Sequence, residues 1–319
     1  MIPSNHGAGD RLSQKPILVT GIHRSGTTWV GKMLASSGRV AYISEPLNVF
    51  HRPGVMRAPV QHWYTYICAD NEDRYLDALS EMLAFNYHLG REIRSLRTPK
   101  DGLRLARDGG AFLGGRWYRQ RPLIKDPFAI FSSQWFAERL GCQVLIMIRH
   151  PGAFVSSVMR LGWDFDFADL LSQPLLLRDW LAGYENEISK LVQGSKNILI
   201  QGCLLWSIIY KVVYEMKERN PGFITLRHED LSQDPQARFL ALFEKLGLDY
   251  SAKASRVIQK YSGRDNPVEV SRQNVHSVRV DSRTNLENWK RRLAQEEIAK
   301  VRELTAEVYP LFYEEGDWD

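Results

Sequence analysis

The sequence predicts an α/β protein with a doubly wound, mainly parallel central sheet and flanking helices. Three observations carry this expectation. Apolar runs of strand length alternate with segments of helical period along the chain. That alternation suits crossover units, which bury a parallel sheet on both faces. The first apolar run also enters a glycine-bounded loop that opens a helix, the strand-loop-helix context of a P-loop.

The elements follow in order. "ILVT" (17–20) is the first strand and "TTWVGKMLASS" the first helix, ended by Gly38. "VAYIS" (40–44) is the second strand, and "YLDALSEMLAFNYHLGREI" has helical period. "LIK" (123–125) and "VLIMI" (144–148) are buried strands, with "FSSQWFAERL" as a helix between them and "AFVSSVMRL" as a helix after them. "LLWSIIYKVVYEMKE" is a core helix, "FITL" (223–226) the last strand, and "DPQARFLALFEKLG" a helix opened by Asp234-Pro235 and closed by Gly247.

At 319 residues, 44% hydrophobic and 25% charged, the chain is of ordinary globular composition. Residues 1–15 read as a flexible polar tail and 16–319 as one domain. Lysine and arginine number 42 against 37 acids, for a formal charge of +5, which favours anionic ligands without choosing among nucleic acid, anionic lipid and a phosphorylated cofactor. Cys68, Cys142 and Cys203 are odd in number and set in apolar surroundings, as reduced core residues of a cytoplasmic protein are. The N-terminus has no apolar core of a secretory signal, and "ILIQGCLLWSIIYKVV" reads as too short and too polar to span a bilayer.

"GIHRSG" lets the backbone turn tightly so that successive N–H groups and a helix N-terminus face an anion. A nucleotide hydrolase carries lysine after the second glycine to neutralise phosphates, and a strand-end aspartate to hold magnesium. Here Thr27 stands in the lysine position, and "VLIMI" ends in Arg149 instead of an acid. Arg24 is the cation that remains in the loop. Arg149 at a strand's carboxyl end sits where open α/β sheets bind ligands, and Ser157, eight residues later on the following helix, can turn its hydroxyl toward the same anion or serve as an ordinary small helix residue.

"GIHRSGTTW" followed by "RHPGAFVSS" resembles the paired signatures of the sulfotransferase family, which transfers a sulfuryl group from 3'-phosphoadenosine 5'-phosphosulfate (PAPS). The resemblance implies that Arg24, Ser25, Gly26, Thr27, Thr28 and Trp29 hold the 5'-phosphosulfate, and that Arg149 and Ser157 hold the 3'-phosphate. It implies no metal, because the donor has no triphosphate for magnesium to bridge. "RPLIKDP" is similar to the family's basic strand and places Lys125 near the transferred group. "LRHEDLSQDPQARFLALFEKLGL" resembles a segment with tyrosine in the place of His228, and "NWKRRL" resembles the tryptophan-lysine pair closing the last nucleotide-contacting loop.

The stretch 263–288 is long, poor in large apolar residues, and bears Arg264, Arg272, His276, Arg279 and Arg283. It reads as a loop covering the nucleotide, with Arg279 and Arg283 as partners of the 3'-phosphate, or as an excursion kept soluble by its arginines. Asp126 stands where the cytosolic phenol branch carries a catalytic histidine, which points toward carbohydrate, tyrosylprotein-type and bacterial relatives. Glu45, in "SEPL" after the second strand, is the candidate base, with a structural salt bridge to Arg24 or Lys125 as the competing account. Asp126 is the alternative base or an orienting residue before Pro127, and His23 a candidate lining residue of the acceptor site.

The expected reaction is O-sulfation, with Glu45, Arg24 and Lys125 as its catalytic residues. The expected acceptor is a carbohydrate or small molecule, and residues 50–115 are expected to form the acceptor side. Trp117 and Tyr118 in "GGRWYRQR", and Trp63 and Tyr64 in "QHWYTYI", offer faces for stacking or for packing. Neither nucleic acid nor a membrane span is expected, and oligomeric state is unreadable. The rival readings are a nucleotide kinase or hydrolase, and a nucleic-acid-binding module suggested by the charge and nine tryptophans.

Overall fold

The computed structural model describes residues 15–194, 197–269 and 278–319. Arg272 and His276 lie outside the described residues. Five strands form one sheet in the order β2-β3-β1-β4-β5: β1 Ile17–Gly21, β2 Val40–Ser44, β3 Arg121–Lys125, β4 Gln143–Ile148 and β5 Ile224–Arg227. Every pairing is parallel.

Alternate residues of each strand go to opposite faces, and both faces are covered. Leu18, Ile124, Ile146 and Ile148 join one core cluster, whereas Ile17, Val19, Leu123, Leu145 and Met147 join the other. This is why the strands read as unbroken apolar runs. Helix α1 (Thr27–Ala35) follows β1, and α2 (Leu89–Ser95) and α3 (Pro99–Trp117) precede β3. Helix α4 (Pro151–Leu161) follows β4, and α5 (Ile198–Arg219) leads to β5. After β5 come α6 (His228–Gln233), α7 (Pro235–Lys245), α8 (Ala252–Ser262), α9 (Asn288–Arg292) and α10 (Gln295–Thr305).

Helix α5 differs from its expectation. It is 22 residues, long and apolar enough to cross a membrane by length and composition, and 67% of its most apolar window is buried. Trp206, Ile208, Ile209 and Tyr210 lie in the core, beneath α4 and α10. The helical segment 75–93 also breaks in two, at Leu76–Leu83 and α2, because Phe85 takes a left-handed φ of 56° and packs its ring against Gly115 of α3.

Chain direction reverses around the centre of the sheet. From β1 the chain moves outward to β2, returns through β3, and then crosses β1 to reach β4. The loops after the neighbouring strands β1 and β4 therefore share the carboxyl edge of the sheet, where such a reversal opens a crevice.

Candidate functional site

The β1–α1 loop is shaped by backbone conformations that few residues adopt. Gly21, Arg24 and Gly26 have φ of 147°, 67° and 96°. A Cβ on Gly21 would meet the Met147 carbonyl of β4 at 2.4 Å, and one on Gly26 would meet the His228 ring at 2.5 Å. Only glycine lets the loop lie this close to β4 and α6. Helix α1 has no side-chain cap and no acid in its first turn, so its leading N–H groups remain available to an anion. The buried Ser25 hydroxyl has no hydrogen-bond partner among the described residues.

Arg149 leaves β4 and folds back over this loop, its Nη1 donating to the Arg24 carbonyl. Its own backbone is clamped from beneath: Trp206 Nε1 donates to the Arg149 carbonyl at 2.8 Å, and Tyr210 Oη accepts from its N–H at 3.2 Å. Arg24 Nε donates to Ser157 Oγ of α4 at 3.1 Å. A pocket of about 140 Å³ forms between these elements, lined by Arg24, Arg149, Ser157, Arg160, Arg292 and His228 among others. Burial holds the Arg24 guanidinium down at about 10, with repulsion from Arg149, Arg160 and Arg292 adding to it. Burial likewise lowers Arg149, and its Nε has no partner among the described residues. Clustered cations with an unmet buried donor fit a ligand of high negative charge.

Two of these cations were missed in the sequence. Arg160 stands one turn after Ser157 on α4, so helical period places it on the same face. Arg292 ends "NWKRR" and pairs with Glu269 at 2.9 Å, while Arg160 approaches the same carboxylate at 3.7 Å. The structure does not bring Arg279 or Arg283 to this pocket. The Arg283 Nε donates to the Gln233 carbonyl at 2.6 Å, and Arg279 lies over the Tyr261 ring at 5.9 Å. Their neighbours Val278, Val280, Ser282 and Asn285 line the pocket instead. An irregular segment has no periodicity from which to read side-chain direction.

A second cleft, of about 450 Å³, adjoins the pocket. Arg24, Thr27 and Thr28 line both. Its other walls are His23, Glu45 and Asn48, the aromatic rings of Trp63, Tyr64, Phe128, Trp163 and Phe165, and the acids Asp164 and Asp166. Trp117 and Tyr118 do not line it; both are exposed.

Glu45 enters the cleft from the end of β2 with φ 51°. Its carboxylate forms an ion pair with Lys125, accepts from Asn48 Nδ2 at 2.8 Å, and is 30% exposed, whereas the Lys125 side chain is 3% exposed. The ion pair foreseen as the structural alternative is thus present, and it leaves the acid facing the cleft. Lys125 lies behind Glu45, against Gly31 of α1, and lines neither cavity. Asp126 is turned away into the interior, where it accepts from the N–H of Leu47 at 2.6 Å and of Phe128 at 2.9 Å. Burial, with Glu45 nearby, raises it to about 7. It knits the loops after β2 and β3 together, so it orients Glu45 without facing the cleft.

Burial, helped by Arg24, lowers His23 to about 4. Burial, helped by Arg149, lowers His228 to about 3. His150 is also lowered to about 3, again chiefly by burial. It stacks on Trp289 at 4.7 Å and meets Trp318, Tyr309 and Tyr313 edge-on, an aromatic cage that fixes the start of α4. Among the described residues no group of three or more metal-ligating side chains occurs.

A family model described as "Sulfotransferase family" matches residues 16–252, well over half of the chain. No curated protein matches it in sequence. Among solved structures, the sulfotransferase domain from the curacin biosynthetic pathway is 13% identical, covers 92% of this chain and 98% of its own, and has a TM-score of 0.46. Sulfotransferase STF9 from Mycobacterium avium is 12% identical, with 94% and 77% covered and a TM-score of 0.46. Mouse sulfotransferase SULT7A1, solved in complex with PAP, is 13% identical, with 92% and 83% covered and a TM-score of 0.41.

Proposed function

The chain belongs to the sulfotransferase family, and on that premise we propose that it transfers a sulfuryl group from PAPS to a hydroxyl of a carbohydrate or other small metabolite. One observation carries this reading: an arginine-rich anion pocket and an aromatic cleft meet at Arg24, Thr27 and Thr28. A donor lying in the first and an acceptor in the second would present their reacting ends to the same three residues.

The fit to the nucleotide is chemical. Unmet donors at Ser25 and Arg149 and a cluster of four arginines suit a bisphosphorylated ligand. The α1 N-terminus with Ser25, Thr27 and Thr28 would hold its 5' end. Arg149, Ser157, Arg160 and Arg292 would hold its 3'-phosphate, and residues 278–285 would cover it. PAPS supplies the sulfuryl group when bound.

Glu45 acts as the base, taking the proton of an acceptor hydroxyl from within the cleft. Lys125 holds the carboxylate in place from behind, its side chain 3% exposed and outside both cavities. Arg24 and the α1 N–H groups stabilise the negative charge that develops on oxygen during transfer, a preorganised arrangement often worth several kcal/mol. The tryptophan, tyrosine and phenylalanine walls suit stacking on a sugar face or an aromatic ring.

Calorimetry tests the donor. Adenosine 3',5'-bisphosphate is expected to bind tightly in the absence of magnesium, and magnesium-ATP weakly. The reverse order would point to a kinase or hydrolase. Incubation with labelled PAPS and a panel of sugars, phenols, lipids and peptides identifies the acceptor.

A further inference from the structure

Of the eleven large hydrophobic side chains exposed among the described residues, six lie between Leu89 and Tyr118. Leu103, Leu113 and Trp117 of α3 are 74%, 69% and 79% exposed. Isolated exposed leucines are ordinary. These are aligned. With exposed Ala106 and Gly110 between them, they recur every three or four residues and form a continuous stripe down the helix. The buried face of α3, marked by Asp101, Phe112 and Gly115, lies on the opposite side. A helix that packs on a core needs one apolar stripe, and α3 has two.

Charge in this region is sorted by direction. Eight basic side chains between Arg91 and Arg119 are exposed. The three acids in the same span are not: Glu92 and Asp101 turn inward onto Arg52, at 2.6 Å and 3.0 Å, and the partly buried Asp108 is held by Arg107 at 2.7 Å. The outer surface of α2 and α3 is therefore apolar along its crest and cationic along its sides.

The geometry points to docking of this face on an anionic lipid bilayer surface, with Leu103, Leu113 and Trp117 entering the headgroup region and the surrounding arginines meeting lipid phosphates. A basic helix with tryptophan and leucine on its outer crest has the composition of an interfacial helix. A second copy of the chain fits less well. The copy would bring the same face with its eight exposed basic side chains and no exposed acid, so that like charges would crowd along the seam. A nucleic acid would use the arginines but leave the apolar crest without a partner.

Co-sedimentation of the full chain with phosphatidylcholine vesicles, with and without phosphatidylserine, tests the proposal. The chain is expected to bind phosphatidylserine vesicles roughly tenfold or more tightly than phosphatidylcholine alone, with binding weakened by salt. Two variants with exposed substitutions, Leu113→Ser with Trp117→Ser and Arg94→Glu with Arg97→Glu, are each expected to lose about tenfold, at unchanged melting temperature. The proposal is overturned by absence of vesicle binding at low salt. It is equally overturned if the serine variant binds vesicles as tightly as the parent, which would leave a purely electrostatic polyanion site. A dimer in light scattering that Trp117→Ser converts to monomer would assign the stripe to self-association.

Discussion

Arg24 and Ser157 are 133 residues apart in sequence, and the Arg24 Nε donates to the Ser157 hydroxyl at 3.1 Å. The β1 loop and the helix after β4 are thereby joined through the two side chains assigned to opposite ends of the nucleotide. Arg24→Ala is expected to reduce turnover by about two to three orders of magnitude. Ser157→Ala is expected to weaken bisphosphate binding about tenfold, as for a hydrogen bond to a charged group. Equal turnover in Arg24→Ala and the parent at saturating donor would remove Arg24 from the reaction.

The late arginines can be told apart by binding. Arg149→Ala and Arg292→Ala are each expected to weaken adenosine 3',5'-bisphosphate by roughly tenfold or more. Arg279→Ala and Arg283→Ala are expected to stay within about twofold of the parent, because Arg283 is engaged with the Gln233 carbonyl and Arg279 with Tyr261. Calorimetry giving the opposite ranking would return the role to the loop arginines.

Glu45→Gln keeps the size of the side chain and removes its basicity. Turnover is expected to fall about a hundredfold or more, with bisphosphate affinity nearly unchanged. Near-parental turnover across the pH range would assign the Glu45–Lys125 pair to structure alone.

His23 is expected to present a donor to the cleft. The Tyr64 hydroxyl oxygen lies 2.6 Å from His23 Nδ1 and accepts from the His23 backbone N–H at 3.4 Å. Its hydrogen has no other acceptor among the described residues, so it is donated to Nδ1, and the ring hydrogen of neutral His23 resides on Nε2. Nitrogen-15 spectra are expected to show that tautomer down to about pH 4, given the lowering of His23 by burial. A spectrum with the hydrogen on Nδ1 would contradict the assignment.

Acid is expected to destabilise the fold through its buried histidines. His150 and His228 sit at about 3 and His23 at about 4 in the fold, mainly from burial, against an ordinary 6.5. Their contribution is complete above pH 6.5 and declines as pH falls from there toward 3, because the unfolded chain takes up protons that the fold refuses. Between pH 7 and pH 5 each accounts for about 2 kcal/mol. Asp126, raised to about 7 by burial, acts in the opposite sense by a similar amount. Urea titrations should give a net loss of about 3 to 4 kcal/mol, reduced by about 2 kcal/mol in His228→Gln.

The five strands were legible because parallel strands buried on both faces must be apolar at successive positions. The β1–α1 loop was legible because few residues other than glycine permit its backbone. Arg149 and Ser157 could be placed together because a helix has a period. Where period fails, so did direction: Arg279 and Arg283 lie in irregular chain, and their side chains point away from the pocket. Phe85 broke a helix of good propensity because its ring packs against Gly115, a tertiary contact that no local pattern encodes. Lys125 was expected near the transferred group; in the fold it lines neither cavity, because Glu45 stands between it and the cleft, which sequence does not show.

The crowding of Arg24, Arg149, Arg160 and Arg292 has a practical corollary at the bench. Their mutual repulsion is relieved by any compact polyvalent anion, so sulfate or phosphate in a buffer should raise the melting temperature while competing with the donor. Preparations that look most robust in such buffers would then be the slowest in assay, and chloride or acetate the better medium for measuring rates.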